Sequence, residues 1–310
     1  MYIFVINPQA GNGRAQRLFT QLQKTSTYQN INAHFIYTKY KGHATEIAHE
    51  LSHSTFQIET IIIVGGDGTI YEFLNGFTNR DIPLSFLLGG SGNDFARACR
   101  IEGSSEEILK RIISKEKTIT YWPSTYQLAN EKHIFVNSIG FGFDALIAKK
   151  TNQSSSKSSF NKLGLGRLSY IYSLIKGLIS FKPLNIKVNV NGLEREINNC
   201  WIASASNHPY VGGGMKLTPQ AKNNPDEMTV ILIHSVSRLK VLLLFSTVYF
   251  GLHTHLKEVE QINAEQVTFS FENEIDLQVD GETQQAKSCI ISKQNNKIFI
   301  RGVHFSKEEN

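Results

Sequence analysis

The chain has 310 residues, of which 41% are hydrophobic and 19% charged, and its formal net charge is +5. This size and composition fit one or two globular domains with a large core. The three cysteines lie far apart and form no CxxC pair, which argues against a disulfide framework and indicates a reducing compartment. The N-terminus is typical of a first strand rather than a signal peptide. The longest apolar run, at 241–252, is too short to span a bilayer.

Strands and helices are predicted to alternate along the first 114 residues. Strands are expected at 2–6, 33–37, 58–64 and 84–88, and helices at 14–24, 43–53, 69–78, 93–100 and 104–114. In the helix at 69–78, apolar residues recur at the i, i+3, i+4, i+7 spacing of a buried helix face. The alternation predicts a doubly wound parallel sheet. Ligands of such sheets bind at the carboxyl ends of the strands.

After about residue 120 the pattern changes to short alternating strands. They are predicted at 125–129, 133–139, 184–190, 195–205, 228–234, 266–271, 275–279, 287–292 and 297–301. Many strands with few helices indicate an antiparallel β-sandwich. Helical inserts are expected at 165–181 and 238–255, and a serine-rich loop at 152–160.

The predicted fold class is therefore α/β plus β, with a cleft between two domains. The doubly wound domain is placed at 1–121 and the β-sandwich at 122–302, and a return of the last residues to the first domain stays open.

Three glycine-rich turns follow strands of the predicted parallel sheet, at 7–14, 65–69 and 89–94. Backbone N–H groups of such turns, with the dipole of the next helix, bind anions such as phosphate. The lysine-containing phosphate loop G-x-x-x-x-G-K-[ST] does not occur in the chain. Asp67 and Asp94 stand where a carboxylate would repel a phosphate. Both carboxylates are compatible with a bound phosphate if Mg²⁺ lies between them and the phosphate. The alternative is that each Asp caps its own helix.

In order along the chain, the motifs resemble the diacylglycerol kinase catalytic-domain family, which includes bacterial diacylglycerol kinases and sphingosine kinase-like lipid kinases. The motifs are Asn-Pro-x-x-Gly at 7–11, Gly-His-Ala at 42–44, Gly-Gly-Asp-Gly-Thr at 65–69, Gly-Ser-Gly-Asn-Asp-Phe-Ala-Arg at 90–97, Gly-Phe-Asp-Ala at 142–145, Gly-Gly-Gly-Met at 212–215 and Val-Asp-Gly-Glu at 279–282. Gly-Gly-Asp-Gly alone is shared with NAD kinases and phosphofructokinases. The added Gly-Asn-Asp and the late Asp-Gly-Glu make the set specific to lipid kinases.

The resemblance implies a first domain like that of NAD kinase and phosphofructokinase, with ATP in the cleft. It assigns ATP binding to Asn7, Pro8, Gln9, Ala10, Gly11, Thr38, Gly66, Asp67, Gly68, Thr69, Ile70, Tyr71, Glu72, Ser91, Asn93 and Asp94. Asp280 would be the base that accepts the proton of the lipid hydroxyl, and Asp67 the second catalytic carboxylate. Taken alone, Asp280-Gly281 would predict only a hairpin turn.

Two magnesium sites are also implied by the resemblance. Asp67 and Asp94 would hold the catalytic Mg²⁺, directly or through water, and Asp226, Asn223 and Met228 a structural Mg²⁺. The chain departs from the family in one respect that bears on the first site. An acid is usual in the strand that opens the second domain, but residues 118–128 contain none.

Two further patterns each have a functional and a structural explanation. His49-Glu50-Leu51-Ser52-His53 matches H-E-x-x-H, but its apolar stripe is that of an ordinary sheet-covering helix without a third ligand. Residues 145–193 carry eight cations and no acid. With the aromatic residues interleaved there, they favour docking on anionic lipid headgroups over a soluble loop, and no recognition motif supports nucleic acid.

The sequence therefore predicts an ATP- and Mg²⁺-dependent lipid kinase, with diacylglycerol as the favoured substrate and phosphatidic acid as the product. A kinase of another lipid such as sphingosine or undecaprenol, an NAD kinase-like enzyme and a nucleotide-binding module without catalysis stay open. The expected location is the cytoplasm, with peripheral attachment to the inner face of the membrane. A homodimer also stays open.

Overall fold

The computed structural model describes residues 1–115, 117–153, 177–294 and 296–304. Across these residues the chain forms two large sheets and a separate two-stranded ribbon. In the same part of the chain, no helix combines the length and the apolar character needed to cross a membrane.

The first sheet has six strands in the spatial order β2-β1-β3-β4-β17-β5. Its strands are β1 (Tyr2–Ile6), β2 (Ala33–Tyr37), β3 (Thr60–Gly65), β4 (Leu84–Leu88), β5 (Thr118–Tyr121) and β17 (Ile298–Arg301). The first four strands pair in parallel. All six residues of β3 are buried, which requires a sheet covered on both faces.

The helices of this half are α1 (Ala10–Leu22), α2 (Ser26–Gln29), α3 (His43–Ser52), α4 (Asp67–Gly76), α5 (Asp94–Ala98) and α6 (Ser105–Ser114). α3 packs on α4, and α1 and α2 pack on α6. One apolar core joins these helices to the sheet. The predicted doubly wound α/β unit is thereby confirmed.

The second sheet is antiparallel and has nine strands. They are β6 (Ser124–Leu128), β7 (Glu131–Phe135), β8 (Ser138–Gly142), β9 (Leu184–Val190), β10 (Leu193–Ser206), β13 (Met228–His234), β14 (Val259–Ala264), β15 (Gln266–Val279) and β16 (Glu282–Lys293). The order is β14-β13-β10-β8-β15-β16-β6-β7, and β9 pairs with both β10 and β15. The sheet encloses a second apolar core, which confirms the predicted sandwich-like domain.

Smaller elements complete this half of the molecule. They are the ribbon strands β11 (Tyr210–Val211) and β12 (Met215–Lys216), the helices α7 (Phe143–Gln153) and α8 (Arg238–Val248), and a 3₁₀ helix (Leu252–His255). The strand β17 lies in the first sheet, where it pairs with β4 and β5. The chain therefore crosses between the sheets near residue 122 and again before residue 298.

The structure corrects several predicted elements. The strand expected at 133–139 is two strands, because the chain breaks at Val136 and Asn137, whose N–H groups bond to the Asp280 carboxylate. The two strands expected at 266–271 and 275–279 are one strand, β15, with an irregular register between them. The helix expected at 238–255 ends at Val248.

Some predicted features lie wholly or partly outside the described residues. Of the helix expected at 165–181, residues 177–181 are described, and 177–180 are helical whereas Phe181 is not. Of the loop expected at 152–160, residues 152 and 153 are described and end α7. Four cations and three aromatic residues of the basic segment also lie outside, namely Lys157, Lys162, Arg167, Lys176, Phe160, Tyr170 and Tyr172.

The H-E-x-x-H pattern lies on α3. The His49 and His53 rings are exposed, with centroids 4.6 Å apart, and His53 Nδ1 lies 2.8 Å from the His49 carbonyl oxygen. Among the described residues, no group of three or more His, Cys, Asp and Glu side chains is placed to hold a metal ion. Both histidines therefore lie on the exposed side of α3, and His53 directly follows its last residue.

Candidate active site

The three glycine turns meet at one edge of the first sheet, after β1, β3 and β4. A side chain at Gly11 would overlap the carbonyl oxygen of Gly89. A Cβ added at Gly90 would lie 2.5 Å from the Cα of Gly66. The turns therefore contact one another through backbone atoms, and this close approach requires glycine.

The first turn has an unusual backbone. Gly11, Asn12 and Gly13 have φ values of 58°, 56° and 79° in succession, so the regular part of α1 begins only after them. The Asn7 side chain joins this turn to the second one, because its Nδ2 donates to Thr69 Oγ1 at 3.0 Å. Its Oδ1 accepts from the Gln9 N–H at 3.1 Å. These two hydrogen bonds fix the first turn beside the N-terminus of α4.

We expect Gly11→Ala to destabilise the protein more than Gly42→Ala. Both glycines have a positive φ, but a Cβ at Gly42 would have no heavy atom within 4 Å. The Gly42 variant should therefore cost about 1–2 kcal/mol for the left-handed backbone. The Gly11 variant should cost about 1–3 kcal/mol more, because of overlap. Urea unfolding of both variants measures the difference, and equal losses would show that the turns are not closely packed.

Asp67 and Asp94 lie side by side at this edge. The Asp67 carboxylate accepts from the N–H groups of Asp94 and Phe95, at 3.2 and 3.1 Å. Asp67 therefore caps α5, the helix of the next turn. The alternative that it caps its own helix is wrong, because α4 has no side-chain cap. Asp94 Oδ1 accepts from Arg97 at 2.7 Å, and its Oδ2 accepts from the Gly213 N–H at 2.8 Å. Asp94 thus ties the first domain to the glycine turn between β11 and β12.

The electrostatics of this pair fit a divalent cation. Burial raises the pKa of Asp94 and the nearby Asp67 charge raises it further, while the Gly213 N–H and the Arg97 charge lower it. Both groups offer hard oxygen ligands, but each already accepts hydrogen bonds from the protein. Mg²⁺ usually keeps several waters and takes one or two carboxylates together with phosphate oxygens. The residues present fit such a shared site.

Asp280 lies at the hairpin between β15 and β16, with φ at 49°. Its Oδ2 accepts from the Val136 N–H at 2.8 Å. Its Oδ1 accepts from the N–H groups of Asn137 and Ser138, at 2.8 and 3.1 Å. Burial raises the pKa of Asp280 to about 7, although these three bonds lower it, and the Asp67 charge adds a smaller increase. Asp280 is therefore a rigidly held carboxylate that can take up a proton near neutral pH.

A cavity of about 430 Å³ connects these carboxylates. Its polar end is formed by residues that come from both domains, namely Asp67, Ser91, Asp94, Asn137, Ser138 and Asp280. Its other end is apolar, because one apolar cluster of the second domain supplies the lining residues Phe143, Ile147, Trp201, Leu217, Ile233, Val241 and Val248. The cavity is therefore polar at one end and apolar at the other, which suits an amphipathic ligand.

Asp144 is a cavity residue that the sequence analysis did not single out as functional. Its Oδ1 accepts from the Ala145 N–H at 2.8 Å, and burial raises its pKa to about 7. The signal was present, because this acid belongs to the Gly-Phe-Asp-Ala motif at 142–145. The motif does not show that Asp144 lines a cavity, because this depends on how distant strands pack together.

Four residues predicted to bind ATP hold the domain together instead of lining the cavity. Thr38 is buried just after β2, and Ile70 is buried in the first core. The Tyr71 hydroxyl lies 2.6 Å from that of Tyr126, across the domain boundary. Glu72 Oε2 accepts from the Gly42 N–H at 3.0 Å. Contacts of these four residues with ATP stay predictions.

The other predicted ATP-binding residues lie in or beside the glycine turns. Asn93 closes the third turn, since its side chain bonds to both the N–H and the carbonyl of Gly90. Gly68 faces the Asp-Gly-Glu hairpin, because a Cβ there would lie 3.5 Å from Glu282 Oε1. Glu282 also pairs with Lys41 of the first domain, at 2.6 Å. The second turn and the hairpin thus face each other.

The residues of the predicted structural magnesium site lie in the loop before β13. The Asn223 side chain bonds to both the N–H and the carbonyl of Trp122, at 2.8 and 2.7 Å. Asp226 is exposed, and Met228 is buried at the start of the strand. The Asn223 side chain therefore stabilises the segment near Trp122 where the chain crosses between the sheets. Metal binding by these three residues stays a prediction.

The acid-free stretch at 118–128 contains this crossing. The Trp122 carbonyl also accepts from the buried Lys293 ammonium at 2.7 Å, and Lys293 donates to Asn207 Oδ1 at 2.9 Å. Burial lowers the pKa of Lys293 to about 7. The crossing is therefore built around a buried lysine, and it adds no carboxylate to the cavity.

Two family models match the chain. The model of the diacylglycerol kinase catalytic domain matches residues 1–120. The model of the YegS C-terminal NAD kinase beta sandwich-like domain matches residues 137–295. The matches correspond to the two sheets described above.

Proteins of similar sequence are named as kinases. The "Putative lipid kinase YtlR" of Bacillus subtilis (strain 168) is 32% identical over 290 residues, which cover 91% of this chain and 93% of the relative. A diacylglycerol kinase of Mycobacterium tuberculosis (strain ATCC 25618 / H37Rv) is 26% identical over 216 residues, covering 67% of this chain and 66% of that protein.

A solved structure shares the fold. The crystal structure described as a putative diacylglycerol kinase from Bacillus anthracis str. Sterne superposes with a TM-score of 0.72 and covers 96% of each chain. Its sequence identity is 22%, so the likeness is one of fold.

The architecture and these matches define a two-domain kinase whose second domain is an NAD kinase-like β-sandwich. Within that class, the chain belongs to the diacylglycerol kinase catalytic-domain family.

Proposed function

We propose that the protein is an ATP- and Mg²⁺-dependent lipid kinase that transfers the γ-phosphoryl group to a lipid hydroxyl, with diacylglycerol as the favoured acceptor. The observation that carries this proposal is the two-ended cavity. Its carboxylates adjoin the glycine turns, and its apolar end extends into the second domain. An acceptor with a polar head and an apolar tail fits this distribution.

The glycine turns would hold the triphosphate. Their backbone N–H groups and the N-termini of α1, α4 and α5 face the same edge of the sheet, which supplies favourable partial charges without a lysine. Asp67 and Asp94 would hold Mg²⁺ together with the phosphates, and the ion neutralises charge on the phosphoryl group when bound. Phosphoryl transfer depends mainly on such positioning and charge stabilisation.

Asp280 would act on the acceptor hydroxyl. A carboxylate with a pKa of about 7 orients the hydroxyl and accepts its proton as the oxygen bonds to the γ-phosphorus. The bond between that phosphorus and the oxygen bridging to the β-phosphate breaks, and ADP leaves. The three N–H donors from 136–138 keep the carboxylate in place throughout.

The apolar end of the cavity would accommodate acyl chains. Phe143 and Ile147 of α7, Trp201 of β10, and Val241 and Val248 of α8 line this end. Asp144, with its raised pKa, would hydrogen-bond a second oxygen of the lipid head. This lining favours a lipid over NAD, the acceptor of the NAD kinase-like alternative. ATP and membrane lipid would meet at the cytoplasmic face of the membrane, where we place the protein peripherally.

A labelled-ATP assay over a panel of acceptors tests the proposal. The panel contains diacylglycerol, monoacylglycerol, sphingosine, undecaprenol and NAD. We expect label in phosphatidic acid and none in NADP. Label in NADP alone would favour the soluble-substrate alternative. ATP binding without label in any acceptor would favour a module without catalysis.

We expect Ala148→Trp to impair the use of long-chain diacylglycerol. Ala148 lines the cavity, and an indole there would occupy space needed by an acyl chain. Overpacking of this kind costs about 1–3 kcal/mol, so kcat/KM for the lipid should fall about 10-fold or more, while ATP affinity stays unchanged. Leu193→Trp is the matched control, because Leu193 is exposed at the start of β10 and does not line the cavity. Equal effects of both variants would argue against a lipid in this cavity.

A further inference from the structure

An apolar face lies exposed on α8 and on the turn that follows it. It consists of Leu239, Leu242, Tyr249, Phe250 and Leu252, which we call the α8 face. Five of the eleven exposed large hydrophobic side chains in the described residues belong to it, although it spans only 14 residues. Single exposed apolar residues are common, but a concentrated group of them marks a surface that binds something.

The α8 face lies in a basic surrounding. Residues 229–257 contain no Asp or Glu, but they contain Arg238, Lys240 and Lys257. Lys240 pairs with Glu258 at 2.6 Å, whereas Arg238 and Lys257 are exposed. Lys216, also exposed, lies beside Gly251, since a Cβ at Gly251 would be 3.8 Å from its Cβ. Cations around an apolar face suit a surface that is both apolar and anionic.

The same helix also borders the cavity. Val241 and Val248 line the apolar end of the cavity, while Leu239 and Leu242 are exposed. The sequence of α8, RLKVLLLFSTV, is therefore apolar on more than its inward face. An ordinary surface helix has one apolar stripe and a polar outer face. α8 instead separates an apolar cavity from an apolar exterior.

In its described part, the basic segment at 145–193 has two of its four cations paired with acids, so it presents less free positive charge than its sequence indicates. Lys149 pairs with Asp276 at 2.8 Å, and Lys187 pairs with Glu196 at 3.3 Å. Both cations therefore have acidic partners within the protein.

We infer that the α8 face docks on the surface of a bilayer that contains anionic lipid. Leu239, Phe250 and Leu252 enter the boundary between headgroups and acyl chains, and the surrounding cations face the headgroups. The face and the cavity share α8, so docking brings the cavity wall to the membrane. The role of this docking in substrate delivery rests on the proposed function, but the docking itself does not.

Vesicle sedimentation of the full chain tests this inference without catalysis. The probe is large vesicles of phosphatidylcholine and phosphatidylglycerol, in the absence of ATP. The wild-type chain should bind, and Leu239→Gln with Phe250→Gln should weaken binding on the order of 10–100-fold. Phe56→Gln with Leu193→Gln is the matched control, because these two residues are exposed elsewhere, and binding should stay within about 2-fold. Higher salt or pure phosphatidylcholine should weaken wild-type binding.

A fluorescence measurement keeps the inference testable if the double variant folds poorly. The emission of Phe250→Trp should shift to shorter wavelength on addition of vesicles, and that of Phe56→Trp should not. Unchanged binding of the double variant, or no shift at position 250, would overturn the inference. So would a wild-type dimer that this double variant converts to a monomer without loss of vesicle binding, since a second copy would then cover the face. Kinase activity on short-chain diacylglycerol in detergent micelles, measured separately, tests the proposed function.

Discussion

Replacement of Asp280 by asparagine is expected to lower kcat by a factor of about 10²–10⁴, the usual contribution of a positioned general base. An amide cannot accept the hydroxyl proton. Steady-state assays with saturating ATP and diacylglycerol measure the effect, with Glu274→Gln as the control, because Glu274 is an exposed carboxylate of the same domain. Full activity of Asp280→Asn would remove Asp280 from the chemistry.

The same variant should also lose some stability. Asp280 Oδ2 accepts from the Val136 N–H, and an amide nitrogen placed there would face that N–H group. A buried donor left without an acceptor costs about 1–3 kcal/mol. Activity should therefore be compared at a temperature well below the melting transition of the variant, so that unfolding does not imitate a catalytic loss.

The raised pKa of Asp280 predicts a pH dependence. The base acts when it is deprotonated, and its pKa is raised to about 7 by burial. The proton is therefore bound in the folded protein at pH values below about 7. The kcat/KM, which reports the free enzyme, should decline about tenfold per pH unit below this midpoint. A profile that stays flat down to about pH 5.5 would show that no group with such a pKa is essential.

Substitutions of Asp67 should separate its two roles. Asp67→Ala removes both the metal ligand and the acceptor for the Asp94 and Phe95 N–H groups. Asp67→Asn keeps one acceptor oxygen but loses the charge. Both variants should raise the Mg²⁺ concentration for half-maximal activity by at least about 10–100-fold, the range seen when support of a metal ligand is lost. Asp67→Ala should also lose about 1 kcal/mol more stability than Asp67→Asn, because a helix cap is gone.

A magnesium titration of activity, paired with thermal unfolding, distinguishes these effects. Asp81→Asn is the matched control, since Asp81 is an exposed carboxylate of the same domain. If Asp67→Asn kept the wild-type Mg²⁺ requirement, Asp67 would be a structural cap only. Its role would then be limited to capping α5 through the Asp94 and Phe95 N–H groups.

The first domain was predictable because its signals are local. The strands β1, β3 and β4 are mostly apolar, and each is followed by a glycine turn and then a helix. Parallel strands bring their carboxyl ends to one edge, so the meeting of the turns at Gly11, Gly66 and Gly90 followed from order alone. The motif resemblance added the pairing of this edge with Asp280.

The break between β7 and β8 was not predictable from local pattern. Residues 133–139 alternate like one strand, but Asp280, more than 140 positions later, takes the N–H groups of 136–138. The cavity escaped prediction for the same reason. Its lining residues come from several elements. The local sequence around Asp144, Trp201 or Val248 does not indicate that these residues line one cavity.

The helix α8 shows where hydrophobic pattern alone is ambiguous. A run that is apolar on all sides fits a helix that covers a core or one that meets a membrane. The structure shows that Val241 and Val248 line the cavity while Leu239 and Leu242 are exposed. Only the packing of the surrounding strands distinguishes these faces.

The most direct test of the central claim follows labelled phosphate from ATP into lipid. Wild-type protein and Asp280→Asn would be incubated with γ-labelled ATP, Mg²⁺ and diacylglycerol, and the extracted lipids separated by chromatography. The account predicts label in phosphatidic acid for the wild type and its near-complete loss in the variant. Label in inorganic phosphate or NADP without label in any lipid, or equal labelling by both proteins, would contradict it.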